Sequence, residues 1–227
     1  MHQSVTVIER ATTENGEIQL QRRGSDYEII FNGTFLMATY NGESEKLLVS
    51  QAIEAVKSPR TVLIAGLGVG FSLGEALGYS MLEKITVVEI EEKIIEWNRT
   101  HLAEFSNHGL LDPRVEVVQA DFIAWMSDCR RKYDVICLDI DNGPDWLVMD
   151  NNGQLYDDQG IRSLLNILNE SGAVSFWSAA KSDTLEKRLR QWFDKVKIQA
   201  VVQPRGEPDY IYVATGPKSA GRGVSRK

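Results

Sequence analysis

Three glycines at alternate positions, Gly66, Gly68 and Gly70, follow an apolar run that is typical of a buried strand, and a helical pattern begins directly after them. Glycine at such a turn permits unusual backbone dihedral angles and lets a ligand approach the main chain, because no Cβ blocks it. A tight turn without a ligand can use the same residues. The glycines alone are therefore weak evidence for a nucleotide or nucleoside site.

Acidic residues end the next two strand-like runs. Glu89 lies 19 residues after Gly70 in an apolar context that also places Ile90 at the strand end. A carboxylate there can accept hydrogen bonds from both hydroxyls of a ribose. Asp121 and Phe122 end the following run, where the carboxylate can bind an adenine amino group and the ring can pack on the base. The alternative role for Asp121 is a helix N-cap. Together these positions predict a nucleoside-binding crevice at one edge of a parallel sheet.

Two carboxylates leave the carboxyl end of a fourth apolar run. Asp139 and Asp141 are two residues apart and lie on one side if strand geometry persists. An amine must lose a proton to act as a nucleophile, and a nearby carboxylate can accept that proton. Trp146, Tyr156 and Trp177 offer aromatic surface for a cationic chain. We therefore predict that Asp139 and Asp141 are catalytic, that Asp139 also contacts the bound nucleoside donor, and that Asp141 and the three aromatic residues bind an amine.

The elements that carry these residues alternate between strand and helix. Apolar runs predict strands at 61–65, 85–90, 115–119, 133–140 and 173–178, and helical patterns lie at 70–79, 91–104, 121–130, 157–170 and 182–193. Two further strands, at 195–203 and 209–215, predict a terminal hairpin. Asp157 and Ser182 are predicted N-caps, and Gly172 is a predicted helix stop. This order predicts an α/β fold with a Rossmann-like, doubly wound, mostly parallel seven-stranded sheet.

A different pattern occupies the first part of the chain. Alternating apolar residues and Asn-Gly pairs at 15–16 and 32–33 predict a small β-meander over residues 1–42. Residues 43–217 are then the predicted catalytic domain, and the basic residues 218–227 are a predicted disordered tail.

Composition restricts the predicted partners. A net charge of −7 over 227 residues disfavours a nucleic-acid backbone and is compatible with a small cationic amine. The three histidines have no metal-ligand spacing, so no metal is expected. No apolar run approaches the roughly 20 residues of a membrane helix. The N-terminus has no signal-peptide pattern, and the two cysteines have no partner pattern, which together predict a cytoplasmic protein.

The order of these motifs resembles the spermidine synthase, or polyamine aminopropyltransferase, family. The similarity lies in the glycine loop, the strand that ends at Glu89, the run from Asp112 to Asp121 and the run from Tyr133 to Asp139. The glycine spacing is also similar to class I S-adenosylmethionine-dependent transferases, whose sheet is of the methyltransferase type. The resemblance implies that Glu89 holds the ribose, that Asp121 holds the adenine and that Asp139 acts on the attacking amine. It also implies a homodimer.

Three departures from the family pattern leave the transferred group open. Family members usually carry an acid within the glycine loop, where this chain has Val69. The acidic loop after Asp139 is shorter, and the run from Gly42 to Glu45 stands where a Tyr-His-Glu signature is usual. We predict transfer of an aminopropyl or related alkyl group to an amine in polyamine chemistry, from S-adenosylmethionine or its decarboxylated form. An S-adenosylmethionine-dependent N-methyltransferase and a non-catalytic nucleoside-binding relative are the alternatives.

Overall fold

A computed structural model describes residues 4–140, 143, 144, 147, 150–203 and 206–218 of the chain. Four antiparallel strands form a first sheet in sequential order. They are β1 Val5–Thr13, β2 Gly16–Arg23, β3 Asp26–Phe31 and β4 Thr34–Ala38. Asn32 and Gly33 adopt φ angles of 49° and 77° in the turn between β3 and β4. Asn-Gly favours such a two-residue turn because both positions tolerate positive φ.

The second sheet has seven strands in the order β10-β11-β9-β8-β5-β6-β7. They are β5 Thr61–Ala65, β6 Lys84–Glu89, β7 Val115–Gln119, β8 Tyr133–Leu138, β9 Leu168–Ser178, β10 Phe193–Val201 and β11 Asp209–Pro217. The neighbouring strands β9, β8, β5, β6 and β7 pair in parallel. Strand β11 pairs antiparallel with β9, and β10 pairs antiparallel with β11 at the edge of the sheet. This topology confirms the predicted doubly wound, mostly parallel sheet with a terminal hairpin.

Helices connect the strands and cover both faces of this sheet. They are α1 Glu43–Glu54, α2 Phe71–Leu77, α3 Glu92–Arg99, α4 Phe122–Asp128, α5 Asp158–Ile167 and α6 Asp183–Trp192. The N-cap predictions for Asp157 and Ser182 are confirmed, since Asp157 accepts hydrogen bonds from the first turn of α5 and Ser182 from the first turn of α6. None of the helices in the described ranges is long and apolar enough to span a bilayer.

The prediction that Gly172 stops a helix is wrong. Helix α5 ends at Ile167, and Gly172 lies inside β9, where that strand bulges against β8. A Cβ at Gly172 would lie 2.8 Å from the carbonyl oxygen of Asp134 and 2.7 Å from a methyl carbon of Leu168. Glycine is required here because the neighbouring backbone approaches closely. Glycine is also favoured at helix ends, so the sequence alone does not distinguish the two roles.

Alternation along β5 divides the buried side chains between two layers. Val62 and Ile64 pack on the side of α1, α2 and α3, and the apolar face of the small sheet joins that layer through Ile18. Leu63 and Ala65 pack with α4, α5 and α6 on the opposite side. The small sheet is thereby fixed beside the glycine loop that follows β5.

Candidate active site

A cleft with a volume of about 940 Å³ opens at the carboxyl edge of the parallel strands. The small sheet forms one of its walls through β4, and helix α1 contributes another side. Most of the predicted site residues line it, namely Gly66, Gly68, Glu89, Ile90, Asp121, Phe122, Asp139 and Trp177. Parallel strands end at a common edge, so motifs that are distant in sequence meet there.

The glycine loop is shaped by close contacts on both of its sides. Gly66 has a φ angle of 93°, and a Cβ there would overlap the carbonyl oxygen of Asp139. Gly68 has a φ angle of 51° and faces the sulfur of Met37 from β4. The same sulfur accepts a hydrogen bond from the backbone N–H of Val69 at 3.1 Å. The small sheet therefore contacts the glycine loop directly.

Gly70 has a different role from the other two glycines. It adopts a φ angle of 96° as the N-cap of α2, and a Cβ there would lie 2.6 Å from Oδ1 of Asn98 and 2.9 Å from Cβ of Ser106. These contacts lie inside the fold behind the loop. Gly70 makes room for packing, and its predicted contact with the donor gains no support from this geometry.

Glu89 is held in place by the main chain. Its two carboxylate oxygens accept hydrogen bonds from the backbone N–H groups of Leu67 at 2.8 Å and Glu91 at 2.9 Å. Burial raises the pKa of Glu89 against the effect of these bonds. The neighbouring Glu91 accepts bonds from Asn15 and Thr13 at the tip of the β1–β2 hairpin. A carboxylate fixed in this way is oriented before any ligand arrives.

Asp121 adopts the helix-cap role that the sequence left open. Its Oδ1 accepts a hydrogen bond from the backbone N–H of Ala124 at 2.8 Å, at the start of α4. The residue also lines the cleft beside Phe122. Capping engages one carboxylate oxygen, so binding of an adenine amino group through the other is compatible with it and stays a proposal.

Asp139 lies at the end of β8, where its backbone N–H donates to the carbonyl of Ala65 at 2.9 Å. The hydroxyl of Ser72 donates to its Oδ2 at 2.9 Å. Burial, together with the negative charge of Asp209, raises the pKa of Asp139 to about 6, although the Ser72 bond opposes that rise. A carboxylate with a pKa near neutrality is suited to exchange a proton with a substrate.

Two further carboxylates that the sequence did not identify lie on the same wall. Ser44 places its hydroxyl oxygen 2.8 Å from Oε2 of Glu45 and 2.8 Å from Oδ2 of Asp209. Gln203 also donates to Asp209. Burial, followed by the charge of Asp139, raises the pKa of Glu45 to about 8. Glu45, Asp139 and Asp209 therefore form one electrostatically connected group.

A signal for Glu45 was present in the sequence, whereas none pointed to Asp209. Glu45 precedes the buried residues Leu48, Val49 and Ala52 by three, four and seven positions, so it lies on the buried face of α1. A charged residue on such a face requires a role or a partner. Asp209 and Ser44 are in contact although they are 165 residues apart in the sequence, and no local sequence pattern predicts such a contact.

The charge of the cleft is strongly unbalanced. One basic side chain, Arg23, lines it within the described part of the chain, and its Nε lies 2.9 Å from the carboxylate of Glu28. From the described ranges, eight carboxylates line the same cleft, namely Glu28, Glu45, Glu89, Glu91, Asp121, Asp139, Glu207 and Asp209. Such a cleft attracts cations and repels anions.

The remaining predicted site residues have separate outcomes. Trp177 lines the cleft, and its buried Nε1 has no hydrogen-bond partner among the described residues. Tyr156 is buried in the opposite core layer, with its ring centroid 6.2 Å from that of Phe176, so the structure does not bring it to the cleft. Its hydrophobic ring is needed for packing there. Asp141 and Trp146 lie outside the described residues.

Residues 43–218 match the family described as the spermine/spermidine synthase domain, which is more than half of the chain. The chain belongs to this family. Among curated members of the family, the polyamine aminopropyltransferase of Saccharolobus solfataricus is 32% identical over 142 residues, which cover 63% of this chain and 46% of that protein. The polyamine aminopropyltransferase of Pyrobaculum calidifontis is 29% identical over 180 residues, which cover 74% of this chain and 61% of that protein. The chain thus matches about half the length of the first of these relatives.

Solved structures of the family share the fold. A crystal structure of spermidine synthase in complex with the transition state analogue AdoDATO has a TM-score of 0.79 at 21% identity, and covers 93% of this chain and 74% of that one. The spermidine synthase of Thermotoga maritima has a TM-score of 0.77 at 18% identity, with 92% and 72% covered. At these low sequence identities, the structural similarity establishes the fold alone.

Proposed function

We propose that this member of the spermine/spermidine synthase domain family transfers an aminopropyl group from decarboxylated S-adenosylmethionine to the amine of a small cationic acceptor. Family membership supports the reaction class, and the polyamine aminopropyltransferases named above are its curated relatives. The predicted homodimer and cytoplasmic location stay predictions.

The charge of the cleft is the observation that carries this proposal. Among the described residues, eight carboxylates and a single guanidinium line the cleft, and that guanidinium is already paired, so the cleft favours a ligand whose charged groups are positive. Decarboxylated S-adenosylmethionine and an amine acceptor both meet that condition. Intact S-adenosylmethionine carries a carboxylate, and the nearby N–H of Val69 is already engaged by Met37. The N-methyltransferase alternative is disfavoured on this ground.

In this proposal the nucleoside lies over β5, β6 and β7. Glu89 accepts the ribose hydroxyls, with Ile90 beside it, while Asp121 and Phe122 contact the adenine. Gly66 and Gly68 allow the sulfonium end to approach the loop. The buried, main-chain-anchored position of Glu89 supports this assignment, because an oriented carboxylate loses little freedom when it binds two hydroxyls.

Asp139 is the proposed acceptor of the amine's proton. The amine nitrogen forms a bond to the carbon of the aminopropyl group next to sulfur, the carbon–sulfur bond breaks with its electrons going to sulfur, and one proton leaves the nitrogen. In this proposal, Asp139 receives that proton and stabilises the positive nitrogen that forms. Its hydrogen bond from Ser72 fixes the orientation of the carboxylate.

Incubation of the purified chain with decarboxylated S-adenosylmethionine and putrescine tests the function directly. We expect spermidine and 5′-methylthioadenosine in equal amounts by mass spectrometry. A parallel reaction with intact S-adenosylmethionine should give no methylated amine. Absence of product from putrescine, spermidine and 1,3-diaminopropane, while 5′-methylthioadenosine still binds, would show that the chain is a nucleoside-binding relative without this activity.

A further inference from the structure

Ser72 carries a buried hydroxyl on the first turn of α2, next to the carboxylate that we propose as the base. Its side chain is 2% exposed. The other buried residues of this helix are apolar, namely Phe71, Leu73 and Ala76. A hydroxyl among them is costly unless it has a hydrogen-bond partner. The Ser72 oxygen lies 2.9 Å from Oδ2 of Asp139, so the partner is the proposed base itself.

Two unequal distances show where the hydrogen of the Ser72 hydroxyl lies. Besides Oδ2 of Asp139, the hydroxyl oxygen approaches the backbone carbonyl oxygen of Glu45 at 3.4 Å. Hydrogen bonds between two oxygens usually span about 2.5–3.0 Å, and a serine hydroxyl has one hydrogen to donate. The hydrogen therefore lies towards Asp139, and the carbonyl of Glu45 is a second acceptor within reach.

The segment that leads into α2 also holds the main chain of Asp139. The backbone N–H of Asp139 donates to the carbonyl of Ala65 at 2.9 Å. Gly66 leaves room for the carbonyl of Asp139, which a Cβ at position 66 would overlap. Ser72 follows in the helix that begins after this glycine loop. The end of β5, the loop and α2 thus hold both the backbone and the carboxylate of Asp139.

The acidic groups that face Asp139 oppose its ionisation. Burial and the charge of Asp209 from β11 raise the pKa of Asp139. Glu45 from α1 faces the same carboxylate, because the charge of Asp139 raises the pKa of Glu45. Within the described residues, no lysine or arginine forms an ion pair with any of these three carboxyl groups. The ammonium of Lys46, the next residue of α1, lies over the ring of Phe71.

The Ser72 hydroxyl acts in the opposite direction. Its hydrogen bond lowers the pKa of Asp139, which stands at about 6 with all effects combined. A hydrogen bond donated to a carboxylate favours the charged form. Burial raises the pKa of the Cys137 thiol, on the same strand, to about 12, so this thiol is neutral near pH 7. Ser72 therefore contributes to the ionisation of Asp139 at neutral pH.

We propose that Ser72 is a positioning residue for the aminopropyl transfer, which holds the carboxylate of Asp139 in one orientation and keeps it ionised until the amine attacks. As the amine nitrogen bonds to carbon and the carbon–sulfur bond breaks with its electrons going to sulfur, the amine's proton passes to Asp139. The Ser72 hydroxyl keeps its own proton and turns to the carbonyl of Glu45. This role in catalysis rests on the proposed function, whereas the effect of Ser72 on the ionisation of Asp139 does not.

The pH dependence of kcat/KM for putrescine in Ser72→Ala tests this role. Activity should fall at low pH as Asp139 becomes protonated, and loss of the hydrogen bond should raise the midpoint of that fall by about one pH unit. Above both midpoints, kcat/KM should remain about tenfold lower, because the carboxylate is less well oriented. The ratio of variant to unmodified chain at each pH cancels the ionisation of putrescine.

Three further variants separate this role from a structural one. Ser72→Thr keeps a hydroxyl and should retain the midpoint, whereas Ser72→Cys, a weaker donor, should give an intermediate one. Thr86→Val is the matched control. Thr86 is fully buried in β6, and its hydroxyl accepts from Tyr133 at the start of β8, whereas Asp139 follows the end of that strand. This variant should lower Tm and leave the midpoint unchanged.

NMR titration of the chain labelled with ¹³C-aspartate measures the same midpoint without turnover. The Asp139 carboxyl signal is the one missing from Asp139→Asn, and binding of 5′-methylthioadenosine shows that each variant is folded. If Ser72→Ala does not fold, Ser72→Cys replaces it.

An unchanged midpoint in Ser72→Ala would overturn the proposal, as would an equal rise in Ser72→Thr or in Thr86→Val. Failure of the proposed function gives a different result. If the NMR midpoint rises as expected but no spermidine forms, the aminopropyl transfer is wrong and the effect of Ser72 on Asp139 stands.

Discussion

The two halves of the cleft are built in different ways. In the half where we propose that the nucleoside binds (the nucleoside half), Glu89 is anchored by backbone N–H groups 22 and 2 residues away in sequence. In the half where we propose that the amine binds (the amine half), Ser72 contacts Asp139 across 67 residues, and Ser44 contacts Asp209 across 165 residues. The first half is organised by the main chain of neighbouring motifs, and the second by side chains that meet only in the complete fold.

The two halves therefore differ in whether the charge of their carboxyl groups can change. The backbone N–H groups hold the carboxylate of Glu89 in one orientation whatever the amine half contains. Ser44 joins the carboxyl groups of Glu45 and Asp209, and the charges of Asp139 and Asp209 raise the pKa of Glu45, so the charge of this group can adjust to a cationic ligand. We infer that the nucleoside half is a template and that the amine half responds to its ligand.

The largest effect is expected from Asp139→Asn. An asparagine cannot accept the amine's proton, so kcat/KM for the acceptor should fall by about 10²- to 10⁴-fold. The affinity for 5′-methylthioadenosine should be unchanged, because the nucleoside half is anchored separately. Asp128→Asn, at an exposed residue of α4, is the matched control. A parallel loss of nucleoside binding would show that the two halves are coupled.

The reciprocal change is Glu89→Gln. Loss of the carboxylate weakens both the ribose contacts and one of the backbone bonds, so nucleoside affinity should fall by about 10- to 100-fold in calorimetry. Putrescine should still bind the variant when the variant is saturated with nucleoside. Glu92→Gln, at an exposed position in the first turn of α3, should behave like the unmodified chain. Loss of putrescine binding in Glu89→Gln would contradict the independence of the two halves.

A pH profile of kcat/KM sharpens the assignment of the base. The pKa of Asp139 is raised to about 6, so the residue is largely protonated at pH 5 and ionised at pH 7. Activity should therefore rise about tenfold per pH unit below 6, and the rise should become less steep above it. This acid limb should be absent from the residual activity of Asp139→Asn. An acid limb that survives in that variant would assign the titration to another group.

The smallest predicted effect is on stability. The pKa of Glu45 is raised from a usual value of 4.5 to about 8, so the folded chain binds a proton there that the unfolded chain releases. Stability from this group is present below pH 4.5 and is lost as pH rises towards 8. The side chain at position 45 in the Glu45→Gln variant does not titrate. The Tm of the variant minus the Tm of the unmodified chain should therefore increase from pH 4.5 to pH 8, by about 2–4 °C for each kcal/mol of unfolding free energy that the unmodified chain loses. A constant difference in Tm from pH 4.5 to pH 8.5 would show that Glu45 is ionised in the folded chain.

The parts of this site that follow strand ends could be predicted from the sequence. Glu89 and Asp139 each end an apolar strand, and that local context was sufficient to place them on a common edge. Tyr156 has an aromatic side chain that suits a ligand and a core equally well, and only packing against Phe176 separates the two roles. Asp209 begins β11, and its partner Ser44 lies on the first helix, so only the complete fold brings them together.

The contact between Met37 and the glycine loop limits which amino acids positions 37 and 68 can carry. The sulfur occupies the space that a Cβ at Gly68 would need, and it also accepts the N–H of Val69. A larger residue at position 68 would have to arrive together with a smaller one at position 37. These two positions, one in the small sheet and the other in the glycine loop, should therefore change together among related proteins. An alanine at both should be tolerated better than an alanine at position 68 alone.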